Sequence, residues 1–293
     1  MKALIIGASG LVGSHCFSIF KNANWEVLGT HLNYATSHTI RFDFLKDDLE
    51  LLFSKTSFYP DIIIHCAALT NVDYCENNVE ESYEKTVLPT KKIVDFCVKS
   101  HLKLVYISTD YVFDGALGPY REDAIVNPIN VYGKHKLECE RMVEELTDHL
   151  ILRITNVYGR EERSKNFIAR LIEDLKNGIE KELNLPFDQF ATPISAKDIA
   201  KMALNLVLDN KSGTYHLGAT DYYNRYQLAN KVLSHFPENK ALKINPVKTL
   251  NSNQTALRPL NGGLLNTKFI NEYPGFTFEN VDSFILKALK NEL

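Results

Sequence analysis

A doubly wound α/β fold, with a parallel sheet covered by helices on both faces, follows from three features of this 293-residue chain. Short apolar runs alternate with amphipathic stretches through the first half, an order that demands parallel strands joined by right-handed crossovers. A glycine turn, Gly7-Ala8-Ser9-Gly10-Leu11-Val12-Gly13, stands directly behind the first apolar run. A later run ends in Ser108-Thr109-Asp110, placing polar side chains at a strand's carboxyl end, where open α/β sheets bind their ligands.

The elements follow in order. Ala3 to Ile6, Trp25 to Gly29, Asp61 to Cys66, Leu102 to Ser108 and Leu150 to Ile154 are continuous apolar runs, as expected of strands buried on both faces. Leu11 to Asn22, Asp47 to Lys55, Asn78 to Ser100 and Ile129 to Leu146 carry helical spacing, and Pro89 is expected to bend the third of these. After Gly159 the rhythm breaks. Asn166 to Asn177 reads as a helix, Lys181 to Pro193 as loop with a short strand, and Ser195 to Leu208 as a helix capped by Ser195. Residues 213–265 mix short strands, aromatics and loops, and Asn280 caps a last helix from Val281 to Lys290. The expected division is a nucleotide-binding domain over 1–158, with a returning segment near 190–212. Residues 159–293 then form mainly a smaller α/β lobe.

Composition narrows the function. Hydrophobic residues make up 45% and charged residues 24%, ordinary for a globular protein. A net charge of -3 offers no basic field for nucleic acid and no polybasic anchor for a membrane. The five cysteines, Cys16, Cys66, Cys75, Cys97 and Cys139, are odd in number and never spaced C-x-x-C. That speaks against a disulfide framework or a metal site and for a reducing compartment. Met1-Lys2 leads straight into a strand, with no apolar signal segment and no run of about 18 apolar residues. The expectation is a cytoplasmic protein.

The glycine turn has the strand–turn–helix setting of a dinucleotide cradle. Gly7, Gly10 and Gly13 allow a tight turn, close approach of backbone to a pyrophosphate, and close helix–sheet packing, with Ser9, Leu11 and Val12 around them. An NAD site usually carries an acid at the end of the second strand for the ribose 2′-hydroxyl. Here that strand ends Gly29-Thr30-His31. A 2′-phosphate is therefore tolerated, with Thr30, His31 or Arg41 as its contacts, although His31 reads equally well as a solvated loop residue. NADPH is the expected cofactor, with NADH also admitted. Asp43, beside Phe44, could accept from the adenine amine, and Cys66-Ala67-Ala68 supplies small residues where the dinucleotide lies flat.

Tyr132-Gly133-Lys134-His135-Lys136 places a tyrosine and a lysine four residues apart, so on a helix both leave the same face. Bringing a tyrosine from pKa ~10 to neutrality takes ~3 units, or about 4 kcal/mol, which a nearby ammonium in a desolvated site can largely supply. Thr109, Tyr132 and Lys136 thus form the chemical core expected of a carbonyl reductase. Tyr132 would donate the proton, Lys136 would hold the cofactor ribose and tune Tyr132, and Thr109 would hydrogen-bond the carbonyl oxygen.

Ser108-Thr109-Asp110-Tyr111-Val112-Phe113-Asp114-Gly115, Pro119-Tyr120-Arg121-Glu122, Asn127-Pro128 and Tyr132 to Glu138 resemble the dTDP-4-dehydrorhamnose reductase family, within the extended short-chain dehydrogenases. Asp188-Gln189-Phe190-Ala191-Thr192-Pro193 and Leu257-Arg258-Pro259-Leu260-Asn261 are similar to its second-lobe and C-terminal signatures, so the resemblance runs nearly end to end. It implies a Rossmann-like sheet with a substrate-binding second lobe. It also implies reduction of the 4-keto group of a nucleoside-diphosphate 4-dehydro-6-deoxy sugar, with dTDP-4-dehydrorhamnose to dTDP-rhamnose as the leading case. Asp110, Tyr111, Phe113, Asn156, Gln189 and Arg258 are the expected substrate contacts, Arg258 as a fork for the diphosphate, with Asn166 and Phe167 near the base. The assignment leaves room for a homodimer.

Two positions depart from the family. Asn156 stands where many members have tryptophan near the sugar, and Thr86 stands where an asparagine is typical of the long helix. The first leaves the sugar open; the second weakens a water-linked proton relay behind Lys136. Two rival functions share the pattern: a nucleotide-sugar epimerase or dehydratase that retains NAD, and a non-catalytic subunit resembling the regulatory beta subunit of methionine adenosyltransferase.

Overall fold

The computed structural model describes residues 1–238 and 241–292. Its first half is built of β1 (Lys2–Ile6), α1 (Leu11–Asn22), β2 (Glu26–His31), β3 (Thr39–Arg41), α2 (Leu49–Thr56), β4 (Ile62–His65), α3 (Val72–Asn77), α4 (Val79–Ser100), β5 (Lys103–Thr109), α5 (Val131–Glu144) and β6 (His149–Ile154). Then follow β7 (Val157–Tyr158), α6 (Phe167–Lys176), β8 (Lys181–Pro186), β9 (Phe190–Ala191), β10 (Ile194–Ser195), α7 (Ala196–Leu208), β11 (Gly213–Leu217), β12 (Tyr223–Asn224), α8 (Arg225–Leu233), β13 (Leu242–Val247), α9 (Thr267–Glu272) and α10 (Val281–Leu289).

The central sheet has seven strands in the order β11-β6-β5-β4-β1-β2-β3, all parallel. Strand periodicity sorts its side chains between two cores. Ala3, Ile5, Ile62, Ile64, Val105, Ile107, Leu150 and Leu152 pack with Cys16 and Phe20 of α1 and with α7. Leu4, Ile6, Ile63, Leu104, Tyr106 and Ile151 face α2, α4 and α5. Each fully buried Leu or Ile contributes about 1.5–3 kcal/mol, so the continuous apolar runs become the sheet's centre. A third core, with Tyr158, Leu171, Leu228 and Phe284, holds α6, α8 and α10 together as the second lobe.

The Rossmann-like half matches the sequence reading closely. The later half differs in three ways. Gly213–Leu217, read as part of the mixed second-lobe region, is β11, paired with β6 at the edge of the central sheet. Lys181–Pro186 is a full strand paired in parallel with Leu242–Val247. The aromatic segment after Tyr222 begins α8, with Asn224 and Gln227 forming a reciprocal capping box. Ser195 stands at the start of α7, but its side chain makes no capping bond. Helix α4 continues through Pro89. Among the described residues, no helix is long and apolar enough to cross a membrane.

Candidate active site

The carboxyl ends of β1, β4 and β5 converge with the start of α5. At β1 the turn is built on steric necessity. Gly7 has φ +80°, and a Cβ there would lie 2.9 Å from the Ala67 amide nitrogen. At Gly13 a Cβ would meet the Gly7 carbonyl oxygen at 2.2 Å. These close approaches leave a shallow backbone surface, opening α1, of the shape a dinucleotide pyrophosphate requires. Ala67 lines it from the β4 side. Burial and a hydrogen bond with Cys16 push the Cys66 thiol well above its usual range, the hydrogen bond being the larger cause.

The candidate contacts for the adenosine end are placed differently from one another. Thr30 is 1% exposed, on β2 between β1 and β3. His31 is buried too, and its Nδ1 lies 2.8 Å from Thr39 Oγ1, so it is a fixed ring and not a solvated loop residue. Arg41, opposite His31 in the strand register, is exposed. Asp43 accepts from the Leu45 amide at 3.0 Å, and Phe44 is buried edge-to-face on Phe42.

Tyr132 and Lys136 lie on the first turns of α5, whose N-cap, Asn130, accepts from Gly133 N–H at 2.8 Å. Gly133 is required here: a Cβ would lie 2.2 Å from the Tyr111 carbonyl. Burial pushes the Tyr132 phenol up, while the nearby Thr109 side chain works in the opposite direction. Tyr132 therefore rests protonated, as a proton donor must. Lys136 is 2% exposed. Its Nζ donates to the Ile107 carbonyl at 2.7 Å and lies 4.0 Å from the centre of the Tyr106 ring. Burial lowers Lys136 to about 8, partly offset by Cys139, Glu140 and Cys66. The expectation that Lys136 depresses Tyr132 does not hold in this geometry, because the ammonium is drawn to the β5 backbone and other groups set the phenol.

The floor behind these residues is polar and mostly paired, although, among the described residues, His65 Nδ1, Tyr106 Oη and Ser108 Oγ are buried without a partner. Arg153 on β6 holds Glu140 of α5 through Nε at 3.0 Å and Nη2 at 2.7 Å, both side chains buried. Arg153 Nη1 also lies 3.3 Å from His216 Nε2. Thr86, the departure in the long helix, accepts from Leu69 N–H at 3.3 Å, and its carbonyl takes the Thr90 hydroxyl at 2.7 Å. Those bonds make it part of the scaffold under His65, whose Nε2 lies 3.0 Å from Thr90 Oγ1.

The expected substrate contacts separate on inspection. Asp110 is buried, accepting from Thr155 Oγ1 at 2.6 Å, Gly263 N–H at 3.3 Å and Thr109 Oγ1 at 3.3 Å. Burial raises its carboxyl despite these bonds. Its acceptors are thus taken by the protein. Phe113 is fully buried and stacked on Tyr120 with ring centres 4.3 Å apart; it is packing, because the 3-10 turn Asp110–Val112 carries it inward. Gln189 spends its amide N–H groups on Thr249 Oγ1 at 3.0 Å and Gln254 Oε1 at 2.6 Å. Asn166 caps α6 and donates to the Val157 carbonyl at 2.8 Å. Asn156 is exposed between β6 and β7 with φ 37°, a backbone setting asparagine tolerates better than a bulky aromatic.

Tyr111 and Arg258 do come together with the core. The Tyr111 ring meets Tyr132 edge-on at 5.7 Å. Burial raises Tyr111, with Arg258 and Arg225 both favouring its ionised form. Arg258 is paired with Asp73 at 2.7 Å. Sequence reading missed Arg225 and Arg170. The Arg225 side chain keeps solvent access, and its guanidinium lies 5.3 Å from the centre of the Phe167 ring. Burial lowers it, and the like charges of Arg258 and Arg170 add to that. The Asn224-x-x-Gln227 spacing was the available signal: it starts a helix and puts Arg225 on its first turn.

Comparison with known proteins identifies the fold and the family. Residues 1–287 match the pattern described as the RmlD substrate binding domain. A dTDP-4-dehydrorhamnose reductase ortholog from Clostridium acetobutylicum superposes with a TM-score of 0.85 at 29% identity, covering 100% of both chains. The dTDP-4-dehydrorhamnose reductase of Bacillus anthracis, solved with NADP, gives 0.83 at 25% identity over 99% of each chain. Methionine adenosyltransferase 2 subunit beta of Xenopus laevis is 33% identical over 236 residues, 78% of this chain and 70% of that protein. With a match that runs from the first strand into the last helix, the chain belongs to the RmlD substrate binding domain family.

Proposed function

We propose that the protein reduces the 4-keto group of a nucleoside-diphosphate 4-dehydro-6-deoxy sugar, dTDP-4-dehydrorhamnose being the first candidate. The observation that carries the reading is a half-buried, protonated Tyr132 bordered by Thr109 and Tyr111, with arginines beyond Tyr111. A nicotinamide cofactor, when bound along the glycine turn, supplies the hydride. Tyr132 delivers its proton to the oxygen of the reduced carbonyl, and Thr109 hydrogen-bonds that oxygen. Lys136 holds the cofactor ribose from beneath. Arg258 and Arg225, with Arg170 behind them, take the substrate diphosphate, where forked cations outperform a single charge. NADPH is favoured over NADH because His31, and not an acid, ends the second strand, with Arg41 opposite it.

The test is to incubate purified protein with dTDP-4-dehydrorhamnose and NADPH, following loss of reduced nicotinamide and formation of the 4-hydroxy sugar. Absence of turnover with the keto-sugar would overturn the reading. The 33% identity to methionine adenosyltransferase 2 subunit beta favours a second reading, a cofactor-binding subunit without turnover. Capture of a methionine adenosyltransferase catalytic subunit by a protein inert toward keto-sugars would support it.

A further inference from the structure

Residues 249–258 form a strap fastened at both ends by side chains from elsewhere in the chain. At the second-lobe end, Asp188 accepts from the Thr249 amide at 2.9 Å, and Gln189 donates to Thr249 Oγ1 and Gln254 Oε1. At the other end, one carboxylate on α3 does most of the fastening. Asp73 Oδ1 accepts from the Ala256 amide at 3.0 Å and from Thr255 Oγ1 at 3.3 Å, while Oδ2 accepts from Arg258 Nη2 at 2.7 Å. Asn130 adds a bond from its Nδ2 to the Leu257 carbonyl at 2.8 Å, and the same side chain caps the catalytic helix through Gly133. Glu76, three residues after Asp73, accepts from the next amide of that helix, Val131 N–H, at 2.9 Å.

Arg258 is 8% exposed at its side chain and feels the like charge of Arg225. Convergent cations repel, and a site holds them together only when an anion outside the ligand position offsets the repulsion. Asp73 is that anion. We propose that Asp73 is a positioning residue, holding Arg258 beside Arg225 so that a diphosphate meets a pre-formed clamp, with Asn130 keeping the strap in register with Tyr132. This rests on the assignment of Arg258 to the substrate diphosphate made above.

Asp73→Asn separates the two duties of the carboxylate. The Asn carbonyl oxygen still accepts from Ala256 and Thr255, while its amide group faces Arg258 donor to donor and releases the guanidinium. The probe is dTDP, titrated calorimetrically into the full chain with NADP saturating. Asp73→Asn is expected to weaken dTDP about tenfold, and to have no further effect in an Arg258→Gln background. Hydrogen exchange of residues 252–258 should stay slow in Asp73→Asn and rise in Asp73→Ala. Tighter dTDP binding by Asp73→Asn would mean the carboxylate merely competes with phosphate and would overturn the proposal. Equal weakening with or without Arg258 would also overturn it, as a general structural effect. If Arg258→Gln alone leaves dTDP binding intact, the diphosphate assignment itself is wrong. If Arg258→Gln weakens binding but Asp73→Asn does not, only the role of Asp73 falls.

Discussion

Replacing Lys136 with methionine should make the protein more stable at pH 7 while abolishing its chemistry. The ammonium is fully buried on the β5 backbone, and burial lowers its pKa from 10.5 to about 8. At about 1.4 kcal/mol per unit, keeping that charge in the fold costs about 3 kcal/mol at neutral pH. Methionine fills similar space without the charge. It forfeits the bond to the Ile107 carbonyl, worth about 1 kcal/mol, for a net gain of about 2 kcal/mol. In a chain of this size that is roughly 3 °C in melting temperature. The pH dependence identifies the cause. Between pH 8 and 10.5 the unfolded chain binds more protons at this position than the folded one, so wild-type stability rises across that window relative to the variant. The variant's advantage should therefore be full below pH 8 and gone near pH 10.5. Paired urea denaturation at pH 7 and pH 10 measures it. A variant no more stable at pH 7, or an advantage unchanged between the two pH values, would refute the reasoning.

Further outcomes test other parts of the site. Tyr132→Phe should lower turnover by roughly 10²–10⁴-fold with cofactor affinity intact; steady-state rates and a fluorescence titration of NADPH check both halves. Arg153→Met leaves Glu140 buried without its partner and should cost about 3–5 kcal/mol in urea denaturation, whereas Arg153→Met with Glu140→Leu should recover most of it. Arg41→Ala should weaken NADPH about tenfold and leave NADH unchanged, read by titrating both cofactors; equal losses would place Arg41 away from the 2′-phosphate.

What the sequence revealed depended on how local each signal was. Continuous runs such as Ile62-Ile63-Ile64 can only be strands buried on both faces, and their alternation already divides the two cores. The glycine turn was equally readable, because the close approaches at Gly7 and Gly13 exclude any side chain. The pairing of Lys181–Pro186 with Leu242–Val247 was not, since its partner lies some sixty residues away and both strands are interrupted by polar residues and partly exposed. The edge strand Gly213–Leu217 was hidden for a related reason: only the crossover through the second lobe returns it to β6.

Within the site, a contiguous motif does not imply a contiguous surface. Thr109, Asp110, Tyr111 and Phe113 sit within five residues, yet the strand end and the 3-10 turn after it point them in different directions. Thr109 and Tyr111 border Tyr132, Asp110 ties three segments together, and Phe113 enters the core. The tyrosine–lysine spacing was readable as a shared helix face, but spacing could not reveal that the β5 carbonyl competes for the ammonium. Arginine at 258 was legible as a cation and Asp73 as one helix acid among several. Their pairing across 185 residues belongs to the folded chain alone. That pairing carries the specificity argument, because a lone guanidinium in a polar loop has no fixed direction until a carboxylate gives it one.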